Sequence, residues 1–206
     1  MTKVLVVNSN PKPLEISYSR QLGAHFVDQL KANGQVEVAQ LNLYEVSIPL
    51  IDGSVLDAWG KLGAGQALSA EQQTTVGRMN EILEQFLAAD VVVFEVPMWN
   101  LSYPPLFKAY IDNITIAGRT FKYTPEGPQG LVGGKKVVLV ESRGGDYTEA
   151  PALQFTNAYL QAAMGFIGVT DYSNLVVQGV NAAPDQAPAL LEAAKQRAEE
   201  LAKQVL

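Results

Sequence analysis

Residues 91–100 read Val91-Val92-Val93-Phe94-Glu95-Val96-Pro97-Met98-Trp99-Asn100. A short, β-branched apolar run ends at once in a proline, a methionine and an aromatic. Runs of this kind suit strands buried on both faces, which is the habit of parallel sheets. Working outward, residues 4–7, 137–140 and 175–177 repeat the pattern, and residues 36–41 form a weaker, alternating run. Between these runs lie longer segments with helical spacing.

The spacing predicts a helix over residues 17–32, where Leu22, Phe26, Val27 and Leu30 share one face and Asn33-Gly34 stops the turn. A second is expected over 69–88, opened by Ser69 with Gln72 three residues on, a capping-box pattern. A third follows Tyr103-Pro104-Pro105, since proline is tolerated in a first helical turn. The fourth and fifth are expected at about 152–164 and 186–205. Strand and helix alternate throughout, which implies an α/β fold: an open, doubly wound parallel sheet with helices on both faces. Five strands fit the flavodoxin-like order 2-1-3-4-5, with ligands at the carboxyl ends of the strands. No linker or internal repeat divides the chain, so residues 1–206 are expected to form a single domain. Residues 42–68 and 117–134 are read as long loops, which are usually functional or flexible.

Composition removes several functions. The chain has no cysteine, so thiol nucleophiles, disulfides and Cys-ligated metals are excluded. Its one histidine, His25, falls inside the first helix and reads as a surface or boundary residue. A net charge of −6 argues against nucleic acid or an anionic membrane as the partner. The opening apolar run is too short for a membrane span or a signal-peptide core, so a cytoplasmic location is the default expectation. No G-x-G-x-x-G follows the first strand, and neither a G-x-x-x-x-G-K-[ST] loop nor a G-x-S-x-G elbow occurs.

Three loops at the carboxyl ends of strands carry unusual content. After the first strand, Ser17 and Ser19 open a helix whose free N–H groups and dipole attract an anion. Ser17 serves equally well as a plain helix cap. After the third, Met98, Trp99 and Asn100 offer an aromatic plate beside an amide, a mixture suited to a flat heterocycle. Trp99 fits core packing or a subunit contact equally well. After the fourth, Ser142-Arg143-Gly144-Gly145 allows close approach of backbone to a ligand, or makes an ordinary turn.

These residues match a family. The chain resembles the FMN-dependent NADH:azoreductases, also described as NADH:quinone oxidoreductases, of the flavodoxin-like superfamily. The likeness runs nearly end to end. It passes through Ser17-Tyr18-Ser19, Pro97-Met98-Trp99-Asn100, Leu106-Phe107-Lys108-Ala109-Tyr110, Gly118-Arg119-Thr120-Phe121, Gly127-Pro128-Gln129-Gly130, Ser142-Arg143-Gly144-Gly145 and Gly165-Phe166-Ile167-Gly168. The resemblance implies a homodimer with two FMN molecules where the subunits meet. Asn10, Ser17, Tyr18 and Ser19 would hold the phosphate. Met98, Trp99, Asn100 and Leu101 would carry the ring, and Ser142, Arg143, Gly144 and Gly145 would border its polar edge. Phe121, Tyr123 and Phe166 would form the substrate pocket, with Phe121 and Tyr123 reaching across the dimer. Family members often carry serine at position 10, tyrosine at 99 and phenylalanine at 101, where this chain has Asn10, Trp99 and Leu101. The implied reaction takes two electrons from NADH or NADPH to quinones and azo compounds in a ping-pong sequence, with no metal and no catalytic side chain beyond the flavin's own chemistry. A flavodoxin-type electron carrier serving a protein partner is the alternative on the same three loops. A flavodoxin-like domain that binds no flavin is a third reading.

Overall fold

The computed structural model describes all of residues 1–206. Five strands form one parallel sheet: β1 (Thr2–Asn8), β2 (Val36–Asn42), β3 (Val91–Pro97), β6 (Lys136–Ser142) and β7 (Asp171–Val177), in the order β2-β1-β3-β6-β7. Counted along the sheet strands alone, this is the expected order 2-1-3-4-5. Two short strands, β4 (Phe121–Thr124) and β5 (Gly127–Gly130), pair antiparallel as a separate hairpin.

The central strand explains why its sequence is apolar without alternation. Val91 and Val93 face α1 (Tyr18–Asn33) and α6 (Ala187–Val205), while Val92, Phe94 and Val96 face α3 (Ala70–Ala88), α4 (Pro105–Ile114) and α5 (Phe155–Ile167). Both faces are therefore covered, as βαβ crossovers require. Each such side chain contributes about 1.5–3 kcal/mol by leaving water. Phe94 meets the Phe107 ring edge-on at 5.2 Å, which joins the sheet to α4.

The helix ends follow the sequence signals. Ser17 caps α1, and Ser69 and Gln72 complete a capping box on α3. Pro105 opens α4. At the far end of α3, buried Lys135 donates to the carbonyls of Leu87 and Ala89 and lies 5.1 Å from the centre of the Phe86 ring. It closes off carbonyls that the helix leaves unpaired. His25 sits on α1 with Nε2 3.2 Å from Glu199 Oε1 of α6, a helix-boundary residue as read.

The structure corrects several readings. Residues 42–68 are not a plain loop, because they contain α2 (Gly53–Gly63), capped by Asp52, which accepts from the Val55 N–H at 2.9 Å. Residues 117–134 hold the β4–β5 hairpin. Gly34 ends α1 as expected, in extended backbone with φ −168°. The fourth expected helix is displaced toward the C-terminus, since Pro151–Leu153 forms a 3-10 turn before α5 begins. No helix is long and apolar enough to cross a membrane.

Candidate functional site

The carboxyl ends of β1, β3 and β6 converge, and hydrogen bonds stiffen each loop. After β1, the Asn8 amide donates to the Asn10 carbonyl (3.0 Å) and accepts from the Asn10 N–H (2.9 Å). Asn10 Nδ2 in turn donates to Ser17 Oγ at 2.8 Å, and the Ser17 and Ser19 hydroxyls stand 3.4 Å apart. Ser17 Oγ accepts from the Arg20 N–H, which leaves the N–H groups of Tyr18 and Ser19 without a hydrogen bond in the chain. A free first turn with three hydroxyl or amide groups around it is an anion site. The Arg20 guanidinium donates to the Lys12 carbonyl at 2.7 Å and pins the outer part of this loop.

After β3, the Met98 N–H donates to the Ser142 carbonyl at 2.8 Å, so two of the loops are tied to each other. Trp99 and Ser102 then exchange backbone hydrogen bonds of 2.8 and 2.9 Å around Asn100 (φ 50°) and Leu101 (φ 66°). Two successive positive φ angles are the signature of a tight type I′ reversal, which ordinarily prefers Asn-Gly. Here a leucine takes the glycine position. The Trp99 ring is half-buried and meets Tyr44 at 6.4 Å.

After β6, Glu141 and Arg143 form an ion pair of 2.7 Å inside the protein, their side chains 0% and 2% exposed. The Thr156 hydroxyl of α5 donates to the other carboxylate oxygen at 2.5 Å. Arg143 Nε is buried and lacks a partner. Gly144 comes so close to Asn181 that a Cβ would lie 2.8 Å from its Nδ2. The Gly144 carbonyl accepts from the N–H groups of Asn181 and Ala182.

Between these loops lies a cleft of about 150 Å³. Of the residues singled out in the sequence, Asn10, Ser17, Tyr18, Met98, Trp99, Ser142, Arg143 and Gly144 line it. Ser19 is fully buried against Ser17 and Asn10. Asn100 and Leu101 form the tip of the Trp99 turn, and Gly145 packs beside the Tyr147 ring. Phe121, Tyr123 and Phe166 come together elsewhere: the Phe121 ring lies 4.6 Å from Phe166 and 5.4 Å from Tyr123, and none of the three lines this chain's cleft. Phe121 is buried rather than displayed, while Tyr123 is 75% exposed. Pro97, quoted with the loop after β3, also lines the cleft, while the sequence reading did not single out Lys12, Ile16, Val180 and Asn181. Val180 and Asn181 follow β7, and the rule that points to strand carboxyl ends would have included that loop. Sequence reading also missed Glu141, whose charge in a buried strand was the available signal.

The flavodoxin-like fold family matches residues 2–202. An FMN-dependent NADH:quinone oxidoreductase of Exiguobacterium sp. is 45% identical over 206 residues, covering 100% of this chain and 97% of the relative. One from Staphylococcus haemolyticus is 48% identical, covering 98% of this chain and 99% of the relative. The chain belongs to the FMN-dependent NADH:quinone oxidoreductase family. In three dimensions it is similar to an FMN-dependent NADH-azoreductase from Bacillus anthracis, solved in complex with FMN, with a TM-score of 0.93, 35% identity and 99% of both chains covered. Its membership in this family extends over both of the long segments, residues 42–68 and 117–134, as well as over the three loops.

Proposed function

We propose that the chain binds FMN in this cleft and reduces quinones and azo compounds by two electrons at the expense of NADH or NADPH. One observation carries the reading: the free first turn of α1, the Trp99 turn and the Gly144 loop meet in one cleft, in a chain of this family. The donor set fits the cofactor. Two hydroxyls and two unpaired N–H groups suit a phosphate, Met98 and Trp99 suit a flat apolar ring, and the close backbone at Gly144 suits a polar edge.

Bound FMN supplies the hydride-accepting and hydride-donating ring. Ser17 and the Tyr18 N–H would hold the phosphate at the positive end of α1, with Ser19 buried behind them and Asn10 donating to the Ser17 hydroxyl. With FMN bound, backbone N–H groups of Asn100 and of the Gly144-Gly145 turn would act as fixed dipoles toward the ring's polar edge. Glu141 neutralises Arg143, so Arg143 contributes a hydrogen-bond donor, its Nε, rather than net charge. Lys12, Tyr18 and Arg143 are the ionisable groups lining the cleft, and none forms an acid–base pair there. Water is then the proton source.

At about 150 Å³ the enclosed space is below the ~300–1,000 Å³ usual for a whole ligand pocket. It suits the phosphate end and leaves the ring on an open rim. Nicotinamide and quinone use that rim in turn, which gives ping-pong kinetics. Phe121, Tyr123 and Phe166 stand away from their own cleft, so a second copy of the chain roofs it and the working unit is a homodimer. Initial rates measured against both substrates test the scheme. Parallel double-reciprocal lines are expected, and intersecting lines would refute the shared rim.

A further inference from the structure

Glu95 stands on the α1-facing side of β3, in line with Val91 and Val93. It is 6% exposed, and its carboxyl accepts no hydrogen bond from the chain. It presses against α1 at Gly23, where a Cβ would sit 2.2 Å from Oε1. It also borders a cavity of about 210 Å³ between α1 and the β1–β2 edge, which the Arg20 side chain shares. Burial pushes the Glu95 carboxyl up to about 8, and Arg20 pulls it back down.

The charged groups around the cavity all come from α1: Arg20, Asp28 and Lys31, of which the last two pair with each other at 3.4 Å. β1 and β2 present only uncharged groups there, and β6 sets Val140 beside Glu95. Glu45 stands behind Asn42, accepting from its amide at 2.5 Å. Arg20 is thus the one cation near Glu95 that has no acidic partner of its own. Its guanidinium instead donates to the carbonyl of Lys12, and Lys12 lines the cofactor cleft. The same loop is held from below, because the Glu95 carbonyl accepts both the N–H and the hydroxyl of Ser9, each at 3.0 Å.

We propose that Glu95 is a positioning residue for the cofactor, its proton deciding whether Arg20 holds the phosphate loop. A neutral carboxyl offers Arg20 no counter-charge, so Arg20 stays on the Lys12 carbonyl. An ionised one is a buried charge without a partner, a state that is costly until a cation reaches it. Arg20 then turns into the cavity, releases Lys12 and withdraws positive charge from the anion site. Phosphate affinity therefore falls as the solution turns alkaline. By reciprocity, a bound phosphate keeps Glu95 protonated.

The inference rests on the FMN reading, and two measurements separate them. Apoprotein is prepared as wild type, Glu95→Gln and Arg20→Gln. FMN dissociation constants at pH 7 and pH 9 are read from quenching of flavin fluorescence. Amide exchange of residues 9–17 is followed at both pH values, corrected for the chemical exchange rate. Wild type is expected to lose about fivefold or more in affinity, the low end for coupled sites, and to lose protection in the loop. Glu95→Gln should bind tightly at both pH values and keep its loop protected. Arg20→Gln should bind weakly at both. A wild type without pH dependence, or a Glu95→Gln variant that shares it, would overturn the proposal. If Glu95→Gln fails to fold, a pH dependence surviving in Arg20→Gln does the same. If no form binds FMN, the cofactor reading fails, while loop exchange still decides the role of Glu95.

Discussion

Leu101 keeps a branched side chain at φ 66°, where an L-residue pays about 1–2 kcal/mol. The turn it completes carries the Trp99 edge of the cleft, so strain and site coincide, as they often do. Leu101→Gly converts the pair into Asn-Gly, the preferred sequence for this reversal. The expected result is a gain of ~0.5–1 kcal/mol in urea unfolding, partly offset by glycine's freedom in the unfolded chain, together with weaker FMN binding. Destabilisation would mean that Leu101 packing outweighs the backbone cost. Arg143 gives a second case. Arg143→Met leaves Glu141 buried and uncompensated, and should cost about 3–5 kcal/mol in the same assay. Adding Glu141→Gln should recover most of that loss. Glu95 yields the pH dependence. Its carboxyl lies at about 8 in the fold against a reference of 4.5, so between these values the unfolded chain holds fewer protons than the native one. Stability must fall as pH rises from about 4.5 to about 8, then level off. The melting-temperature gap between Glu95→Gln and wild-type apoprotein should widen across that window and stay constant above it.

At the scale of elements, α1 has two roles that one substitution can separate. Aspartate caps a helix as well as serine does, yet it places a negative charge where the phosphate is to bind. Ser17 is buried, so Ser17→Asp should lower the melting temperature of the apoprotein by only a few degrees, for a loss of about 1 kcal/mol. FMN affinity should drop by about a hundredfold or more, as for a lost charged contact. Equal loss of stability and affinity would reduce Ser17 to a cap. Elements were legible wherever a terminal signal met a regular stripe. Ser69 with Gln72 predicted a capping box that forms, and Ser17 with Leu22, Phe26 and Leu30 predicted α1. α2 was hidden because Gly53, Gly60 and Gly63 read as loop, although Asp52 supplies the cap. The β4–β5 hairpin was hidden because Gly127, Pro128 and Gly130 break any strand pattern; its Phe121 packs on Phe166 of α5, a contact between residues far apart in the chain.

For the whole molecule, the sheet order could be read from five apolar runs because both faces of each central strand are buried, which leaves little choice of topology. The cleft was legible to a similar degree and for a related reason: loops at the carboxyl ends of neighbouring strands must meet. What escaped was the support beneath them. The Glu141–Arg143 pair and the Glu95–Arg20 cavity depend on which face of a strand a charge occupies, and that is settled only once the helices are packed. The sequence reading grouped Phe121, Tyr123 and Phe166 as one pocket, and the three do pack together, away from this chain's own cleft. In the proposed function, this cleft holds a flavin which nicotinamide reduces and a quinone reoxidises. The most direct test is an anaerobic titration of the FMN-loaded protein with NADH, followed through the visible flavin band. Bleaching by NADH or NADPH, and return of the band when a quinone is added, is the predicted result. A protein that binds FMN yet is bleached by neither nucleotide, or that binds no FMN, would contradict it.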